Sequence, residues 1–288
     1  MENKDTIFSK KSTINCNGSL LDFSVPRIMG ILNVTPDSFY DGGYYYDPQS
    51  LSQRIKQLVE EGADIIDVGG YSSRPGADHI PAEEEWGRLE PVLKRIREEY
   101  PEAIVSVDTF RAGIAREAVE TYKIDIVNDI SAGELDENMF GTIAELQVPY
   151  IMMHMKGTPQ NMKEMAMYDD LIGEVMDYFS HKYEQLRRMG VNDVIIDPGI
   201  GFGKNIEHNF LLMKKLEQFQ VFNLPLLLGI SRKSMIFKTL NIEPSDALNG
   251  TTVMNTVGLL SGADILRVHD VKEAREAIKL VQKLQNAQ

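Results

Sequence analysis

The chain has 288 residues and a formal net charge of -13, with 30 lysines and arginines against 43 aspartates and glutamates. Hydrophobic residues make up 43% and charged residues 25%, a globular composition that excludes disordered and collagen-like chains. The acidic balance argues against binding to nucleic acid, which needs a basic surface. We therefore expect a protein that acts on small molecules.

Cysteine content and hydropathy predict the cellular compartment. The single cysteine, Cys16, allows no internal disulfide, which favours a reducing compartment. The first eleven residues contain no apolar core of a signal peptide. The longest apolar stretches, 148–153 and 224–230, are far shorter than the roughly 20 residues of a membrane span. The sequence therefore predicts a cytoplasmic protein with no membrane partner.

Short apolar runs recur along the chain, and each is followed by a segment with helical periodicity. Runs of valine, isoleucine, leucine and methionine with few polar breaks are typical of parallel strands covered on both faces. We predict eight strands, at 27–33, 64–69, 103–108, 125–130, 149–154, 193–197, 225–230 and 264–269.

The segments between these strands have the pattern of amphipathic helices. Between the first two strands, Leu51, Ile55 and Leu58 recur at helical spacing. Pro48 suits the first turn of this helix, and Gly62 suits its end. The repeating unit is therefore a strand followed by a helix.

Eight such units in about 260 residues predict a (β/α)8 TIM barrel, for which about 250 residues are typical. A doubly wound sheet is the alternative, but eight parallel strands in one domain fit a closed barrel better. No linker or charge block divides the chain, so we expect one domain over 1–288, with the barrel over about 27–285. The Asn17-Gly18 pair predicts a turn, and a β-hairpin over about 6–25 should cover the bottom of the barrel.

Polar residues cluster at the predicted C-terminal ends of the strands, where TIM-barrel active sites lie. The strand ends carry, in chain order, Asn33, the segment 69–76, Asp108, Asn128, Met153 with His154, Asp197, the segment 231–234, and Arg267 with His269. Buried polar groups without partners are costly, so packing alone does not explain this convergence.

Some of these residues have simpler interpretations that the sequence leaves open. Asp197 could form a turn with Pro198 and Gly199, and Asp108 could cap the helix that begins near Phe110. The glycine-rich segment after Asp197 lacks the patterns of a Walker A loop and of a dinucleotide fingerprint, so no nucleotide site is expected there. The histidines have no ligand partner at helical spacing, which argues against zinc.

The segment after the seventh strand predicts an anion site. Residues 231–234, Ser-Arg-Lys-Ser, begin a predicted helix, and TIM barrels often bind phosphate at a helix N-terminus near the last two strands. Arg267 and His269 should face the same place, because alternate residues of a strand share a face. A solvated basic cluster is the alternative, but four cationic groups in an acidic chain favour an anion.

Eight segments at these strand ends occur in an order that resembles the dihydropteroate synthase family. They read NVTPDSFYDGG, GGYSSRPGA, SVDTF, VNDI, MMHMKGTPQNM, DPGIGFGK, GISRKS and RVHDV. The resemblance runs from about Thr13 to Leu284. It implies a TIM-barrel transferase of folate biosynthesis that joins 6-hydroxymethyl-7,8-dihydropterin diphosphate to p-aminobenzoate, giving 7,8-dihydropteroate and pyrophosphate. It also implies Mg²⁺, a homodimer and a target of sulfonamides.

The resemblance assigns roles to individual residues. For the pterin pocket, these are Asp108, Asn128, Met153, Asp197 and Lys233. For the diphosphate they are Asn33, Arg267 and His269, and Asn33 is also the implied ligand of Mg²⁺. For p-aminobenzoate and its loops they are Phe39, Asp41, Ser73, Arg74, Pro75 and Ser234. The implied catalytic residues are Asp108, Asn33, Lys233, Arg267 and His269.

The chemistry of this reaction needs no enzyme nucleophile. An arylamine is a weak nucleophile, and the sequence has no apparent Ser/His/Asp or cysteine arrangement that would form a covalent intermediate. We therefore expect SN1-like cleavage of the bond between the pterin methylene and the diphosphate.

One segment departs from the pattern of the family. The family usually reads GGESTRPG, whereas this chain has Tyr71 in place of the glutamate and Ser73 in place of the threonine. Ser73 keeps the hydroxyl group. Tyr71 is the larger change, which bears on p-aminobenzoate affinity and sulfonamide sensitivity rather than on the class of reaction.

Two other functions are alternatives. A pterin-binding methyltransferase domain would share the barrel and the pocket, but it would not need the 231–234 segment or the p-aminobenzoate loops. A non-catalytic pterin-binding paralogue would be expected to have lost Arg74, Lys233 or Asn33, and all three are present.

Overall fold

Two short antiparallel strands precede a ring of eight parallel strands that alternate with helices. The computed structural model describes residues 11–35, 48–74 and 76–287. The hairpin strands are β1 (Thr13–Cys16) and β2 (Ser19–Asp22). The parallel strands are β3 (Arg27–Asn33), β4 (Ile65–Gly69), β5 (Ile104–Asp108), β6 (Ile126–Asp129), β7 (Tyr150–Met153), β8 (Val194–Asp197), β9 (Leu227–Leu228) and β10 (Ile265–Val268).

The helices of the described residues lie between and after these parallel strands. They are α1 (Pro48–Glu60), α2 (Ala82–Glu99), α3 (Ala112–Tyr122), α4 (Met139–Leu146), α5 (Leu171–Arg188), α6 (Ile206–Lys214), α7 (Ser234–Leu240), α8 (Leu248–Leu260) and α9 (Val271–Gln285). Two 3₁₀ segments lie at Leu216–Phe222 and Pro244–Asp246. None of the helices in the described part of the chain has the length and apolar character needed to cross a bilayer.

The parallel strands form a TIM barrel. Their order is β8-β7-β6-β5-β4-β3-β10-β9, and all neighbours are parallel. A bridge between Ile196 and Leu226 joins the two ends of this order, and the Ile196 N–H donates to the Pro225 carbonyl at 3.0 Å. The barrel prediction is confirmed, and the doubly wound alternative is wrong.

Strand β9 differs most from its prediction. The apolar run predicted a strand over 225–230, but only Leu227 and Leu228 have strand geometry. Pro225 has no N–H to donate to a ladder, and Gly229 has no side chain to pack against neighbours, so both residues limit the strand.

The burial of the barrel explains the sequence pattern of its strands. Every residue of β4, β6, β7 and β8 is buried, which is why these strands read as nearly continuous apolar runs. Helix α1 buries Leu51, Ile55 and Leu58 in the main core, as its periodicity predicts. It begins at Pro48, and the chain turns after it at Gly62, where φ is +90°.

The hairpin closes the bottom of the barrel, as predicted. Ile14, Cys16, Leu21 and Phe23 pack against one side chain from each parallel strand. We call these eight side chains the basal ring: Met29, Ile65, Ile104, Ile126, Ile151, Ile195, Leu227 and Ile265. The observed hairpin spans 13–22, and residues 6–10 of the predicted range lie outside the described residues.

Aspartates just before three strands anchor their neighbours at this end of the barrel. Asp64, Asp125 and Asp264 each accept a hydrogen bond of 2.8 Å from a backbone N–H in the neighbouring strand or just before it. The repeated Gly-Ala-Asp-Ile sequence at 62–65 and 262–265 therefore marks two equivalent helix-to-strand junctions.

Candidate active site

A second ring of side chains lies two residues further along each strand than the basal ring. Side chains two residues apart in a strand share a face, so both rings lie inside the barrel. We call the second set the upper ring: Ile31, Asp67, Ser106, Asn128, Met153, Asp197, Gly229 and Arg267. The basal ring is entirely apolar, whereas five members of the upper ring are polar or charged.

A charged network joins four strands across the barrel. The Arg267 Nε donates to Asp67 at 2.6 Å, and its Nη2 donates to Asp108 at 2.7 Å. The Asn128 side-chain amide also donates to the Asp67 carboxylate, at 3.2 Å. Asp67 is completely buried, so its charge depends on these two donors for compensation.

Asp108 and Arg267 differ in the direction in which this network shifts their charge equilibrium. Burial raises the pKa of Asp108 to about 7, and Asp67 adds to the rise while Arg267 opposes it. Burial alone would lower the pKa of Arg267, but Asp67 and Asp108 hold it above its ordinary value. Arg267 therefore stays cationic, while Asp108 titrates near neutral pH.

A second acid–base pair, Asp197 and Lys233, lies beside Gly229. Asp197 accepts the Gly199 N–H at 2.8 Å through Oδ1, which leaves Oδ2 facing Gly229. A Cβ atom on Gly229 would lie 3.8 Å from the Lys233 Nζ, 3.9 Å from the Asp197 Oδ2 and 3.9 Å from the Arg267 Cβ. Glycine therefore keeps open the space on which these three side chains converge.

Burial weakens the charge on both members of this pair. It raises the pKa of Asp197 and lowers the pKa of Lys233 to about 8, and each group opposes the shift of the other. The Lys233 ammonium also donates to the Ile200 carbonyl and lies 4.7 Å from the centre of the Phe202 ring. Because Asp197 and Lys233 are already buried, a ligand with matching donors and acceptors would displace little water from them.

Buried Lys204 orders the glycine-rich segment that follows Asp197. Its Nζ donates to His154 Nδ1 at 2.8 Å, to the Gly199 carbonyl at 3.0 Å and to the Phe202 carbonyl at 2.9 Å. Burial lowers the pKa of Lys204 well below its ordinary value. These bonds give Lys204, the last residue of the GIGFGK segment, a structural role that does not depend on a phosphate ligand.

Asn33 and Asp108 meet at the rim of the barrel on either side of Gly69. The strand register pairs Gly69 with both residues. A Cβ atom on Gly69 would lie 3.5 Å from the Asn33 Oδ1 and 3.5 Å from the Asp108 Oδ2. Within residues 11–35, 48–74 and 76–287, no three His, Cys, Asp or Glu side chains form a metal-binding group.

The four cationic residues expected around an anion have separate environments. Arg232 has a left-handed φ of 53°, and its guanidinium donates to both oxygens of Asp270 at 2.9 and 2.7 Å. Arg267 is held by the carboxylates inside the barrel. The geometry therefore reduces the expected four-cation cluster to Lys233 and Arg267 beside Gly229, with His269 close to Arg267.

His269 is neutral and pairs with Ser231. Its backbone N–H donates to the Ser231 Oγ at 3.2 Å, and its Nδ1 lies 3.0 Å from the same oxygen. Burial lowers the pKa of His269 to about 4, and Arg267 adds to the effect. A neutral imidazole has one N–H donor and one acceptor nitrogen, and Ser231 engages Nδ1.

The simpler interpretations of the two aspartates have different outcomes. Helix α3 begins at Ala112, whose N–H donates to Asp136 at 2.8 Å, so Asp108 does not cap it. Asp197 does form the turn with Gly199, but it uses only one carboxylate oxygen for this, and the other oxygen faces Gly229.

The residues expected near p-aminobenzoate lie on separate elements. Ser73 and Arg74 are on the loop between β4 and α2, and Ser234 is the first residue of α7. Met153, in the upper ring, packs with Tyr71 in a small apolar cluster. Phe39, Asp41 and Pro75 lie outside the described residues.

Asp67 and Gly229 were not predicted as site residues from the sequence. Asp67 interrupts the apolar run Ile-Ile-Asp-Val-Gly, and it lies two residues after a member of the basal ring. Asp67 and Gly229 each lie two residues after a basal-ring residue of the same strand, and this spacing is the sequence signal that identifies them.

Comparisons with known proteins identify the family to which this barrel belongs. The family model described as pterin binding enzyme matches residues 29–269. Dihydropteroate synthase of Escherichia coli strain K12 is 42% identical over 267 residues, which cover 92% of this chain and 94% of the relative.

Two solved structures share the fold over nearly the whole chain. The Yersinia pestis dihydropteroate synthase, in complex with a sulfonamide drug, has a TM-score of 0.90 at 38% identity and covers 96% of this chain and 100% of its own. The Xanthomonas albilineans enzyme with 4-aminobenzoic acid has a TM-score of 0.89 at 35% identity, over 96% and 99%.

These matches define the class first: the barrel is that of a pterin-binding enzyme. The chain belongs to the dihydropteroate synthase family, whose members are transferases of folate biosynthesis. The resemblance of the eight sequence segments is thereby confirmed. The reported relatives do not support the methyltransferase alternative.

Proposed function

We propose that the mouth of this barrel condenses 6-hydroxymethyl-7,8-dihydropterin diphosphate with p-aminobenzoate to give 7,8-dihydropteroate and pyrophosphate. The observation that carries the assignment of residues is the convergence of the Asp197 carboxylate and the Lys233 ammonium beside Gly229, which has no side chain between them. A flat heterocycle with N–H donors on one edge and a carbonyl on another matches these two groups.

The pterin ring would occupy the space beside Gly229. The free oxygen of Asp197 accepts from the ring N–H and exocyclic amine, and Lys233 donates to the ring carbonyl. The side-chain nitrogen of Asn128 donates to Asp67, so its side-chain oxygen is the atom that would accept a hydrogen bond from the pterin edge. A heterocycle without these groups would leave buried polar atoms unpaired, at about 1–3 kcal/mol each.

The diphosphate would lie at the rim, near Asn33, Arg267 and His269. His269 would donate from Nε2 to a phosphate oxygen as a neutral ring, and Arg267 would supply positive charge. The Asn33 carbonyl oxygen is the kind of hard ligand that Mg²⁺ takes, and one protein ligand suffices when phosphate and water supply the rest. When bound, the ion neutralises charge on the leaving diphosphate.

The reaction would proceed by SN1-like cleavage of the bond between the methylene carbon and the diphosphate oxygen. The electron pair leaves with the diphosphate, and the positive charge is spread over the methylene and the pterin ring. Ionised Asp108 lies in the adjacent network and favours that cation. A rate of single-turnover C–O cleavage that rises steeply with the basicity of the arylamine would contradict this mechanism.

The arylamine would approach from the side of Ser73, Arg74 and Ser234, with Phe39, Asp41 and Pro75 completing that side. Arg74 is exposed, which leaves its guanidinium available for the carboxylate of p-aminobenzoate. Ser73 and Arg74 lie on one segment, Ser234 on a second, and Phe39 and Asp41 on a third. We expect the diphosphate-bearing ligand to bring these segments together, so that p-aminobenzoate binds after it. Tight binding of p-aminobenzoate to the free enzyme, equal to that of the loaded form, would contradict this order.

A pyrophosphate-release assay with both substrates tests the proposed function directly. Release should require the pterin diphosphate and p-aminobenzoate together, and dihydropteroate should appear in equal amount. Pterin binding without pyrophosphate release would instead identify the non-catalytic paralogue. Methyl transfer from a folate, without use of p-aminobenzoate, would identify the methyltransferase.

We further propose that the protein is a cytoplasmic homodimer that pairs through its last helices. Val253, Val257 and Leu260 form an exposed apolar stripe on α8, and Leu280 and Leu284 form another on α9. Helix spacing of three and four residues places each set on one face. Val257→Glu should convert a dimer to a monomer in sedimentation experiments, and an unchanged mass would refute this interface.

A further inference from the structure

The loop between β4 and α2 is fastened to the loop between β7 and α5. The Gln160 Nε2 donates to the Tyr71 hydroxyl at 2.9 Å and to the Ala77 carbonyl at 3.1 Å. The Gly76 N–H donates to the Pro159 carbonyl at 3.0 Å. Three hydrogen bonds therefore cross between two segments that are more than 80 residues apart in the chain.

Tyr71 is held in place by its ring as well as by its hydroxyl. Only 8% of the residue is exposed. Its ring packs edge-to-face on Phe110, with ring centres 5.1 Å apart, and Arg111 lies over the ring at 5.5 Å. Met153 and Met162 complete the apolar contact. The aromatic ring thus anchors the beginning of the loop against the barrel mouth.

His79 adds a second donor to the same hydroxyl. Arg111 Nη2 lies 3.4 Å from His79 Nε2, and an arginine can only donate, so Nε2 is the acceptor. The ring proton is therefore on Nδ1, which lies 3.3 Å from the Tyr71 hydroxyl. The hydroxyl oxygen accepts from His79 on its own loop and from Gln160 on the other.

We propose that Tyr71 is a positioning residue for p-aminobenzoate: through Gln160 it holds Ser73 and Arg74 at the barrel mouth before either substrate binds. This inference rests on the proposed function only for the roles of Ser73 and Arg74. The family's usual glutamate at this position would have no aromatic ring to pack on Phe110, so the fastening by both ring and hydroxyl follows from the tyrosine of this chain.

Steady-state kinetics of Tyr71→Phe test the positioning role. The phenylalanine keeps the ring contacts and loses only the hydroxyl. The KM for p-aminobenzoate should rise about three- to tenfold, because the hydroxyl loses its hydrogen bonds to Gln160 and His79 and only part of that loss reaches the bound substrate. The KM for the pterin diphosphate and the kcat should stay within about twofold. Tyr100→Phe, at the end of α2, is the matched control and should change none of these constants.

A double variant shows whether Tyr71 acts through Gln160. Gln160→Met removes the bonds of Gln160 to Tyr71 and to Ala77, and Tyr71→Phe removes the bonds of the hydroxyl to Gln160 and to His79. Both variants should raise the KM for p-aminobenzoate, and the combined effect should be smaller than the product of the two, because the bond between Tyr71 and Gln160 is lost only once. Multiplied effects in the double variant would overturn the proposed coupling. A kcat that falls while both KM values stay unchanged would likewise overturn the positioning role.

Amide hydrogen exchange tests the fastening without any substrate. Exchange over residues 70–80 should be several times faster in Tyr71→Phe than in the wild type, while exchange in α2 stays the same. Equal exchange over 70–80 would refute the fastening even if the enzyme proved inactive. Faster exchange with an unchanged KM for p-aminobenzoate would refute the role of this loop in binding.

Discussion

The two rings inside the barrel are built from the same eight strands, yet they have opposite chemistry. The basal ring packs apolar side chains against the hairpin, and nothing in it can bind a polar ligand. The upper ring, two residues further on, brings together Asp67, Asn128, Asp197 and Arg267. The groups that can bind a polar ligand are therefore separated from the apolar base of the barrel by about 7 Å along each strand, the rise of two residues.

This separation lets the barrel tolerate a costly polar interior. Apolar burial contributes roughly 25 cal/mol per Å² and is concentrated below the site and around it. The upper ring contains groups whose pKa values are shifted by burial, among them Asp197 and Lys233, and such groups reduce stability while preparing a ligand site. Substitutions in the two rings should therefore have different consequences.

The largest effect is expected for Arg267→Ala. Removal of this guanidinium leaves the buried Asp67 and the neighbouring Asp108 without their shared cation, which should reduce the free energy of unfolding by about 3–5 kcal/mol. The kcat should fall by about 100-fold or more, as when a donor to a developing charge is lost. Urea denaturation and initial rates measure the two effects.

Arg275→Ala is the matched control for this variant. Arg275 also pairs with a carboxylate, Asp64, at 2.7 Å, but at the bottom of the barrel. The Arg275→Ala variant should be less stable than the wild type and should keep the wild-type kinetic constants. A loss of catalysis equal to that of Arg267→Ala would contradict the separation of the two ends.

Asp197→Asn should abolish most pterin affinity without unfolding the protein. The asparagine oxygen can still accept the Gly199 N–H, so stability should change by less than about 1 kcal/mol. Loss of the charged acceptor should weaken the pterin ligand by about 100-fold in calorimetry. Asp193→Asn, just before the same strand, should leave pterin affinity unchanged, because Asp193 bonds the hairpin at Asn15.

The pH dependence should follow two groups of the site. Below about pH 7, Asp108 gains a proton and no longer favours the cation, so kcat/KM should fall toward acid. Above about pH 8, Lys233 loses its proton and its donor to the ring carbonyl weakens, so kcat/KM should fall toward alkali.

Lys233→Arg separates the two limbs of this profile. Arginine stays charged, so the alkaline limb should disappear while the acid limb stays. The maximal rate should also fall, because a guanidinium does not reproduce the geometry of an ammonium. An unaltered alkaline limb would show that a group other than Lys233 titrates there.

The smallest effect is expected for Ile195→Val in the basal ring. Removing one buried methylene from a packed core costs about 0.5–1.5 kcal/mol of stability. Because the site lies two residues further along the strand, kcat and both KM values should stay within about twofold. Thermal denaturation and steady-state kinetics provide the comparison.

Much of the fold follows from features that the sequence displays locally. Continuous apolar runs gave the eight strands, and the Asn17-Gly18 turn gave the hairpin, because both are encoded in neighbouring residues. Strand β9 was overestimated because Pro225 and Gly229 limit pairing that an apolar run alone suggests.

The geometry of the site was harder to predict, since it depends on which distant groups pair. Asp67 was missed because a lone aspartate in an apolar strand has no local partner, and its partner Arg267 is 200 residues away. Arg232 was expected beside the anion, but its left-handed backbone turns it to Asp270, which no spacing reveals. The roles of Phe39 and Asp41 stay predictions.

The central claim, that ligand binding belongs to the upper ring and not to the basal ring, is tested most directly on one strand. Pterin affinity by calorimetry and unfolding free energy by urea denaturation should be measured side by side for Asp197→Asn and Ile195→Val. We expect Asp197→Asn to lose about 100-fold in affinity with little loss of stability, and Ile195→Val to lose about 1 kcal/mol of stability with unchanged affinity. Equal losses of pterin affinity in both variants would contradict it.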